Sequence, residues 1–293
     1  MVRGWRLKFI DRLTKIDRRI IYGILALVVI LPLVFPTALK VKPMTPVEKL
    51  YEAVDNISDE KALLLDCSYA PQIKAEVEPM AIAVLRHAFA KRKKVLVLAL
   101  YVQMLGLAQK ALTQVTGEFN SKAQTNADSI IYGRDYVFLG WTPPPLIPML
   151  GMGESIAGVY PADYYGNQTD TLELMQQIKN YNNIGILVCL SGSSIPKSWV
   201  AFAQNRFGLA VGVGCTAVSG ADFYAYYQTG QFSGLMIGMK GAAEYEELVE
   251  ENLEIKEKRM ASEAMLPMTY AHFVIMLFII IGNIGYFIQR RRK

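Results

Sequence analysis

The stretch Ala62–Cys67 (ALLLDC) is the first of several short apolar runs that decide the fold class. Because nearly every residue in these runs is apolar, they are typical of strands buried on both faces of a parallel sheet. A weaker run at Ile156–Tyr160 (IAGVY) predicts one additional strand. The other strong runs are Val95–Tyr101 (VLVLALY), Tyr136–Leu139 (YVFL), Ile184–Leu190 (IGILVCL) and Leu209–Cys215 (LAVGVGC).

Helical patterns lie between these runs. Val77–Phe89, Met104–Val115 and Leu172–Ile178 carry apolar residues at three- and four-residue spacing, and a shorter stripe runs from Trp199 to Phe207. Alternating strands and helices form βαβ units with right-handed crossovers. The sequence therefore predicts one α/β domain with a doubly wound, mainly parallel sheet of a Rossmann-like or flavodoxin-like kind.

Two longer apolar runs flank this domain, at Ile20–Phe35 and Met268–Ile288. Each is close to the length that crosses a bilayer as a helix, and Lys and Arg lie on the outer flank of each run. Both termini are therefore predicted to be cytoplasmic and the central domain extracytoplasmic. A cleaved signal peptide is the alternative for the first run. Its long apolar core and the lack of an A-x-A-like site favour an uncleaved signal anchor.

The predicted organisation has six segments. They are a basic amphipathic tail (1–19), a first membrane helix (20–36), the α/β domain (37–240), an acidic helical stalk (241–267), a second membrane helix (268–288) and a basic tail (289–293).

Charge is divided unevenly along the chain. The two tails hold 11 Lys and Arg against two acids, whereas residues 36–267 hold 20 Lys and Arg against 24 Asp and Glu. Because the folded part is acidic overall, a nucleic-acid partner is not expected. The basic tails instead suit an anionic lipid surface, so the lipid membrane is the first predicted partner.

Polar residues follow the predicted strands at the edge where parallel sheets bind ligands. We expect candidate ligand-binding residues there. Glu76 and Glu78 open the first helix, where their charges also suit the helix dipole. The candidates are Asp66 and Ser68 after the first strand, Ser191 and Ser193 after the fourth, and Thr216, Ser219 and Asp222 after the fifth.

Specific catalytic signatures are weak. Residues 212–217 fit G-x-G-x-x-A but overlap a strand instead of following it, and Pro196 interrupts the S-x-x-K spacing of Ser194 and Lys197. His87 is the only histidine outside the apolar runs, and it lies on a predicted helix. No cofactor or metal site is predicted. Cys67, Cys189 and Cys215 lie in or beside apolar runs, as buried free cysteines do.

Gly230, Gly234 and Gly238 form a G-x-x-x-G-x-x-x-G series. On a helix these glycines would line one face and allow a close approach of another backbone. Two interpretations follow, close packing on the sheet or contact across a homo-oligomer.

Three segments, Tyr132–Gly140 (YGRDYVFLG), Tyr226–Gln231 (YYQTGQ) and Gly241–Glu246 (GAAEYE), carry a resemblance. They resemble segments of a group of prokaryotic membrane-anchored α/β proteins that have no assigned activity. The resemblance covers the outer domain and implies a prokaryotic source, but no catalytic residues.

The sequence thus predicts a membrane-anchored domain that binds a small molecule or assembles with itself or a membrane-protein partner. A hydrolase or transferase using Asp66, Ser68, Ser193 and Asp222 is the alternative. Ligand identity, oligomeric state and glycosylation at the sequons of Asn56 and Asn167 stay open.

Overall fold

The computed structural model describes residues 17–37 and 40–290 and divides the chain into two compact units. The first unit comprises Met1–Leu39 and Ser262–Lys293, and the second is Lys40–Ala261. The amphipathic helix predicted before residue 17 lies outside the described residues. The elements in chain order are α1 (Arg18–Val34), α2 (Thr45–Asp55), β1 (Ala62–Asp66), α3 (Lys74–Ala90), β2 (Lys94–Leu98), α4 (Leu105–Asn120), β3 (Tyr136–Gly140), α5 (Leu146–Gly151), α6 (Ile156–Val159), α7 (Glu173–Gln177), β4 (Ile184–Leu190), α8 (Ile195–Trp199), α9 (Asn205–Phe207), β5 (Val211–Cys215), α10 (Gly220–Gln228), β6 (Gly234–Ile237), α11 (Gly238–Leu253) and α12 (Met260–Arg290).

The second unit is built on a six-stranded sheet within the described residues. Every strand pair is parallel and the order is β3-β2-β1-β4-β5-β6. Leu64 of β1 lies opposite Leu96 on one side and Leu187 on the other. This order is that of the Rossmann fold, so the α/β prediction and its parallel sheet are confirmed.

Helices cover both faces of the sheet. One face carries a core in which Leu64 and Val213 pack with Trp199 of α8, Phe223 of α10 and Tyr160. On the other face, α3 packs against α11, and α2 lies on β6. The chain therefore buries its strands on both sides, which explains why their sequences are almost entirely apolar.

A cluster of polar rings lies between α2, α3 and α11. The imidazole of His87 is stacked on the ring of Tyr51, with centroids 4.0 Å apart. Its Nδ1 lies 2.8 Å from the hydroxyl of Tyr245, and its Nε2 lies 3.1 Å from Asp55 Oδ1. His87 is fully buried with both ring nitrogens partnered, so it joins three helices and is not exposed for catalysis.

Two strand assignments differ between the sequence prediction and the structure. Residues 156–160 were expected to be a strand, but Ile156–Val159 is one short helix whose N-cap Ser155 accepts from the amide of Gly158. The sixth strand, Gly234–Ile237, was not predicted. The side-chain cap at Ser155 favours a helical turn in the first segment despite its β-rich composition. The second segment begins with glycine, which is unfavourable in strands, so its sequence does not indicate a strand.

The glycine series does not lie on a helix. Gly230 occupies a turn with φ of 75°, Gly234 begins β6 and Gly238 begins α11 with φ of 59°. A Cβ on Gly234 would lie 2.4 Å from the backbone nitrogen of Leu50 in α2. The helical interpretation was wrong, and the close approach at Gly234 is between a strand and α2.

The segment expected to be an acidic stalk belongs to the domain. Ala242, Ala243 and Tyr245 of α11 are fully buried, and the compact unit continues to Ala261. After α11, the chain is held to the domain by Arg86. Its guanidinium contacts both carboxylate oxygens of Glu118 at 2.8 Å and donates to the carbonyl of Lys258 at 2.9 Å.

The span Met260–Ile288, which belongs to the first unit from Ser262 onward, is long and apolar enough to cross a membrane, by length and composition. Among the described residues, it is the one helix that passes this test. The helix at the first apolar run, α1, has 17 residues, with Asp17 as a side-chain cap and Pro32 inside. One candidate membrane helix is thus found in place of the two predicted.

Candidate functional site

The strand order reverses between β1 and β4. From β1 the chain proceeds outward through β2 to β3, and then returns to β4 on the opposite side of β1. The loops that leave the carboxyl ends of β1 and β4 therefore diverge. In doubly wound sheets ligands bind at this switch point, so residues 67–73 and 191–194 form the centre of the candidate site.

Asp66, the last residue of β1, is the buried polar centre of this region. The hydroxyl of Ser68 donates to its Oδ1, and the indole Nε1 of Trp199 donates to its Oδ2 at 2.7 Å. The thiol of Cys189 on β4 lies 3.4 Å from the same Oδ2. Both carboxylate oxygens are thus occupied by donors of this chain, and the residue is fully buried.

Burial raises the pKa of Asp66 to about 6, because removing the carboxylate from water disfavours its charged form. The hydrogen bonds from Ser68, Trp199 and Cys189 act in the opposite direction and stabilise the charge. Without a path to solvent, this carboxylate does not contact a substrate in the described conformation. It fixes the end of β1 against β4 and α8.

Ser68 extends the same network toward β2. While its hydroxyl donates to Asp66, its oxygen accepts from the amide of Leu100 at 3.0 Å. The side chain is only 2% exposed. Ser68 is therefore a link between the loops after β1 and β2 and is not a free nucleophile.

The loop after β4 is stabilised by its own hydroxyls. Ser191 is buried, and its oxygen lies 3.0 Å from the hydroxyl of Ser193 and accepts from the Ser193 amide at 3.2 Å. Ser193 and Ser194 are exposed. Of the predicted residues in this loop, Ser193 is the one that presents its side chain to solvent.

The loop after β5 is tied to the loop after β4. Thr216 donates to the hydroxyl of Ser219 at 3.2 Å, and Ser219 donates to the carbonyl of Gly192 at 3.0 Å. A Cβ on Gly192 would lie 2.9 Å from Ile73 and 3.1 Å from Thr216. The end of the Ile73 side chain thus packs directly against the backbone of Gly192 at the switch point.

The two glutamates at the start of α3 have structural partners. Glu76 accepts from the amide of Ala217 at 2.9 Å, which joins α3 to the loop after β5. Glu78 is 3% exposed and lies 3.5 Å from both Lys74 and Lys110. Neither side chain has the free, poised carboxylate that a general base requires.

Asp222 lies apart from this network. Its side chain is 77% exposed on α10 and lies 3.8 Å from the ammonium of Lys197. That ammonium also lies over the rings of Phe223 at 5.7 Å and Tyr226 at 5.5 Å. The structure therefore places Asp66 and Ser68 in one hydrogen-bonded network, and Ser191, Ser193, Thr216 and Ser219 in the joined loops after β4 and β5. Asp222 lies on the surface.

The cysteines are free and buried. Burial raises the pKa of the thiols of Cys67 and Cys189 well above the ordinary value, and that of Cys215 to about 12. A buried neutral thiol is a poor nucleophile and metal ligand. The described residues include no group of three or more His, Cys, Asp or Glu side chains placed to hold a metal ion.

Two important residues were missed by the sequence reasoning. Trp199 was assigned only to an apolar stripe, yet its indole nitrogen contacts a carboxylate 133 positions earlier. Ile73 lay in an unassigned loop, yet it covers Gly192. The tryptophan could have been identified from its residue type, because a buried indole N–H usually has a hydrogen-bond partner.

Comparison of the chain with protein-family models, with curated proteins and with solved structures finds no match.

Proposed function

We propose that this chain is a membrane-attached binding component whose α/β domain recognises an uncharged, hydrogen-bonding ligand or partner at the switch point. The observation that carries the proposal is the enclosure of Asp66. Both of its oxygens accept hydrogen bonds from side chains of the domain. The site therefore offers a ligand hydroxyls and backbone groups, and not a free acid or base. The exposed Ser193 and Ser194 supply the polar contacts.

The hydrolase or transferase alternative has less support. It needs Asp66, Ser68, Ser193 and Asp222 to act on one substrate. Asp66 and Ser68 are buried and partnered, and Asp222 projects into solvent beside Lys197. Acid–base catalysis requires a group within hydrogen-bond reach of the substrate proton, so binding accounts better for this arrangement.

Native mass spectrometry of the full chain, released from detergent micelles, tests the binding proposal. We expect an additional small-molecule mass on the purified chain. We expect it to be lost in a variant with Ser193→Ala and Ser194→Ala and kept in the matched control Ser121→Ala, which lies at the far end of α4. A wild-type chain with no retained mass, or a mass kept in the double variant, would contradict the proposed site.

The proposed topology places both α1 and α12 across the membrane, with both termini cytoplasmic and the domain outside. The basic tails and the apolar span Met260–Ile288 support it. The native cysteines are fully buried, so a cysteine placed at the exposed Asn126 would dominate the labelling. We expect Asn126→Cys to react with a membrane-impermeant maleimide on intact cells. Labelling only after lysis would contradict the topology.

A further inference from the structure

A pocket of about 390 Å³ lies in the α/β domain, away from the switch point. One of its walls is the end of α4, with Glu118, Phe119 and the following Lys122, and the other is residues 254–257, which come after α11. Because α4 connects the carboxyl end of β2 to the amino end of β3, its last turn lies at the amino edge of the sheet. The volume is within the range of small-molecule sites.

The interior of the pocket is apolar. Phe119 on one wall and Ile255 on the other are half-buried and line the space between them. The ring of Phe119 is supported from behind by Phe89 of α3, with centroids 6.2 Å apart in an edge-on arrangement. An aliphatic or aromatic group of a ligand would therefore lose its contact with water between these two side chains.

The two walls are joined by ion pairs that use most of the charges around the pocket. Arg86 donates to both oxygens of Glu118 at 2.8 Å and to the carbonyl of Lys258 at 2.9 Å, which ties α4 to the segment after α11. Lys122 forms an ion pair with Glu257 of the opposite wall. The pocket is thus shaped by the protein itself, and these charges are already compensated.

Two charges of the lining stay available. Within the described part of the chain, neither Glu254 nor Lys256 has an ion-pair partner. Their Cα atoms are at most about 7.6 Å apart, because only one residue lies between them. Their long side chains can therefore reach a positive and a negative group that one small molecule carries close together.

The helix ends favour one orientation of such a molecule. Both α4 and α11 end at the pocket, and the carboxyl end of a helix favours positive charge. Glu254 directly follows the last residue of α11. A ligand ammonium group is thus best placed beside Glu254, and a ligand carboxylate beside Lys256.

We infer that this pocket binds an apolar α-amino acid in its zwitterionic form. The ammonium group donates to Glu254, the carboxylate accepts from Lys256, and the side chain lies between Phe119 and Ile255. A ligand with a single charge would meet one of the two groups favourably and the other as a like charge. The pocket is separate from the switch point, so its ligand is independent of the one proposed there.

Isothermal titration calorimetry of the full chain in detergent micelles, with protein-free micelles as the blank, tests the ligand class. L-phenylalanine carries both charges, phenethylamine lacks the carboxylate and hydrocinnamate lacks the ammonium group. We expect L-phenylalanine to bind at least about tenfold more tightly than either analogue. Equal binding of the three probes would overturn the inference. So would an absence of binding by both L-phenylalanine and L-leucine at about 10 mM.

Variants of the two charged residues test the site. Glu254 has a φ of 54°, in the left-handed region that glycine adopts freely, so Glu254→Gly removes the carboxylate without straining the backbone. We expect Glu254→Gly and Lys256→Gln each to weaken L-phenylalanine binding about tenfold. The control Lys61→Gln, at an exposed position outside the pocket, should bind as wild type does. Wild-type affinity in both pocket variants would overturn the inference.

Two further measurements separate this pocket from the switch point. The double variant Ser193→Ala with Ser194→Ala should keep its affinity for L-phenylalanine, and a loss would place the amino acid at the switch point and overturn the inference. Lys256 is itself a trypsin site, so we expect saturating L-phenylalanine to slow cleavage after Lys256. Unchanged cleavage there, with L-phenylalanine bound, would show that the ligand lies elsewhere and would also overturn the inference.

Discussion

The indole nitrogen of Trp199 donates a 2.7 Å hydrogen bond to Oδ2 of Asp66, and this contact joins the end of β1 to the helix that follows β4. Both residues are fully buried. The bond therefore spans the two loops that diverge at the switch point, and it sets the geometry of the candidate site.

We expect Trp199→Phe to destabilise the fold by about 1.5–3 kcal/mol, the usual effect of losing a hydrogen bond to a charged group. The aromatic bulk is largely retained, so most of the loss reports the missing donor. Chemical unfolding of the full chain in detergent, followed by circular dichroism, measures it. Trp141→Phe is the matched control, since Trp141 is exposed and should cost little. Equal losses in the two variants would contradict a specific role for the Asp66 contact.

Asp66 makes stability depend on pH. Its pKa is about 6 in the folded protein against 3.8 in an unfolded chain, so the folded state binds the proton more tightly. This stabilisation is complete below about pH 4 and is lost as the pH rises through about 6, which amounts to about 3 kcal/mol. We expect Asp66→Asn to remove that decline. If the curves of stability against pH for wild type and variant run parallel, the raised pKa of Asp66 in the folded protein is refuted.

His87 acts with the opposite sign in the same range. Burial lowers its pKa to about 4 from 6.5, although Asp55 opposes that shift. The neutral ring is therefore favoured by folding, and its contribution is lost as the pH falls from about 6.5 toward 4. We expect His87→Gln to flatten the acid limb of the thermal stability curve, whereas Asp66→Asn steepens it. Thermal melts at a series of pH values distinguish the two variants. If both variants change the slope of the acid limb in the same direction, the opposite pKa shifts assigned to His87 and Asp66 are contradicted.

The parts of this fold that follow from local sequence were predictable. Uninterrupted apolar runs such as Ile184–Leu190 indicate buried parallel strands, and those strands are present. The strand Gly234–Ile237 was missed because it has four residues between turn-forming neighbours. At the site, Asp66 and Ser68 could be placed at a strand end. Their partners could not, because the contact to Trp199 depends on the strand order, which no local pattern specifies.

Gly234 tests the close approach of β6 and α2. A Cβ at this position would meet the backbone of Leu50 at 2.4 to 2.5 Å, and backbone atoms cannot move aside cheaply. We expect Gly234→Ala to cost about 1–3 kcal/mol through overpacking. In Gly106→Ala, on helix α4 with no neighbour within 4 Å, the same change should be neutral or stabilising by up to about 1 kcal/mol. Denaturant midpoints give both values. A tolerated Gly234→Ala would mean that β6 and α2 are farther apart than described.

Arg86 fixes the segment between α11 and α12. Its guanidinium contacts both oxygens of Glu118, and a third nitrogen–oxygen contact reaches the carbonyl of Lys258. Lysine keeps the positive charge but lacks the planar guanidinium, whose several N–H groups contact Glu118 and the Lys258 carbonyl at the same time. We therefore expect Arg86→Lys to release this segment and to speed tryptic cleavage after Lys256 and Lys258 in the full chain.

Arg206→Lys is the control for that experiment, since Arg206 is exposed on α9. Its cleavage pattern between α11 and α12 should match wild type. A thermal melt separates local release from general unfolding, because release alone leaves the melting temperature of the sheet nearly unchanged. If Arg86→Lys instead leaves cleavage at wild-type rates, the contacts of Arg259 and Ala261 with α11 suffice to hold the segment.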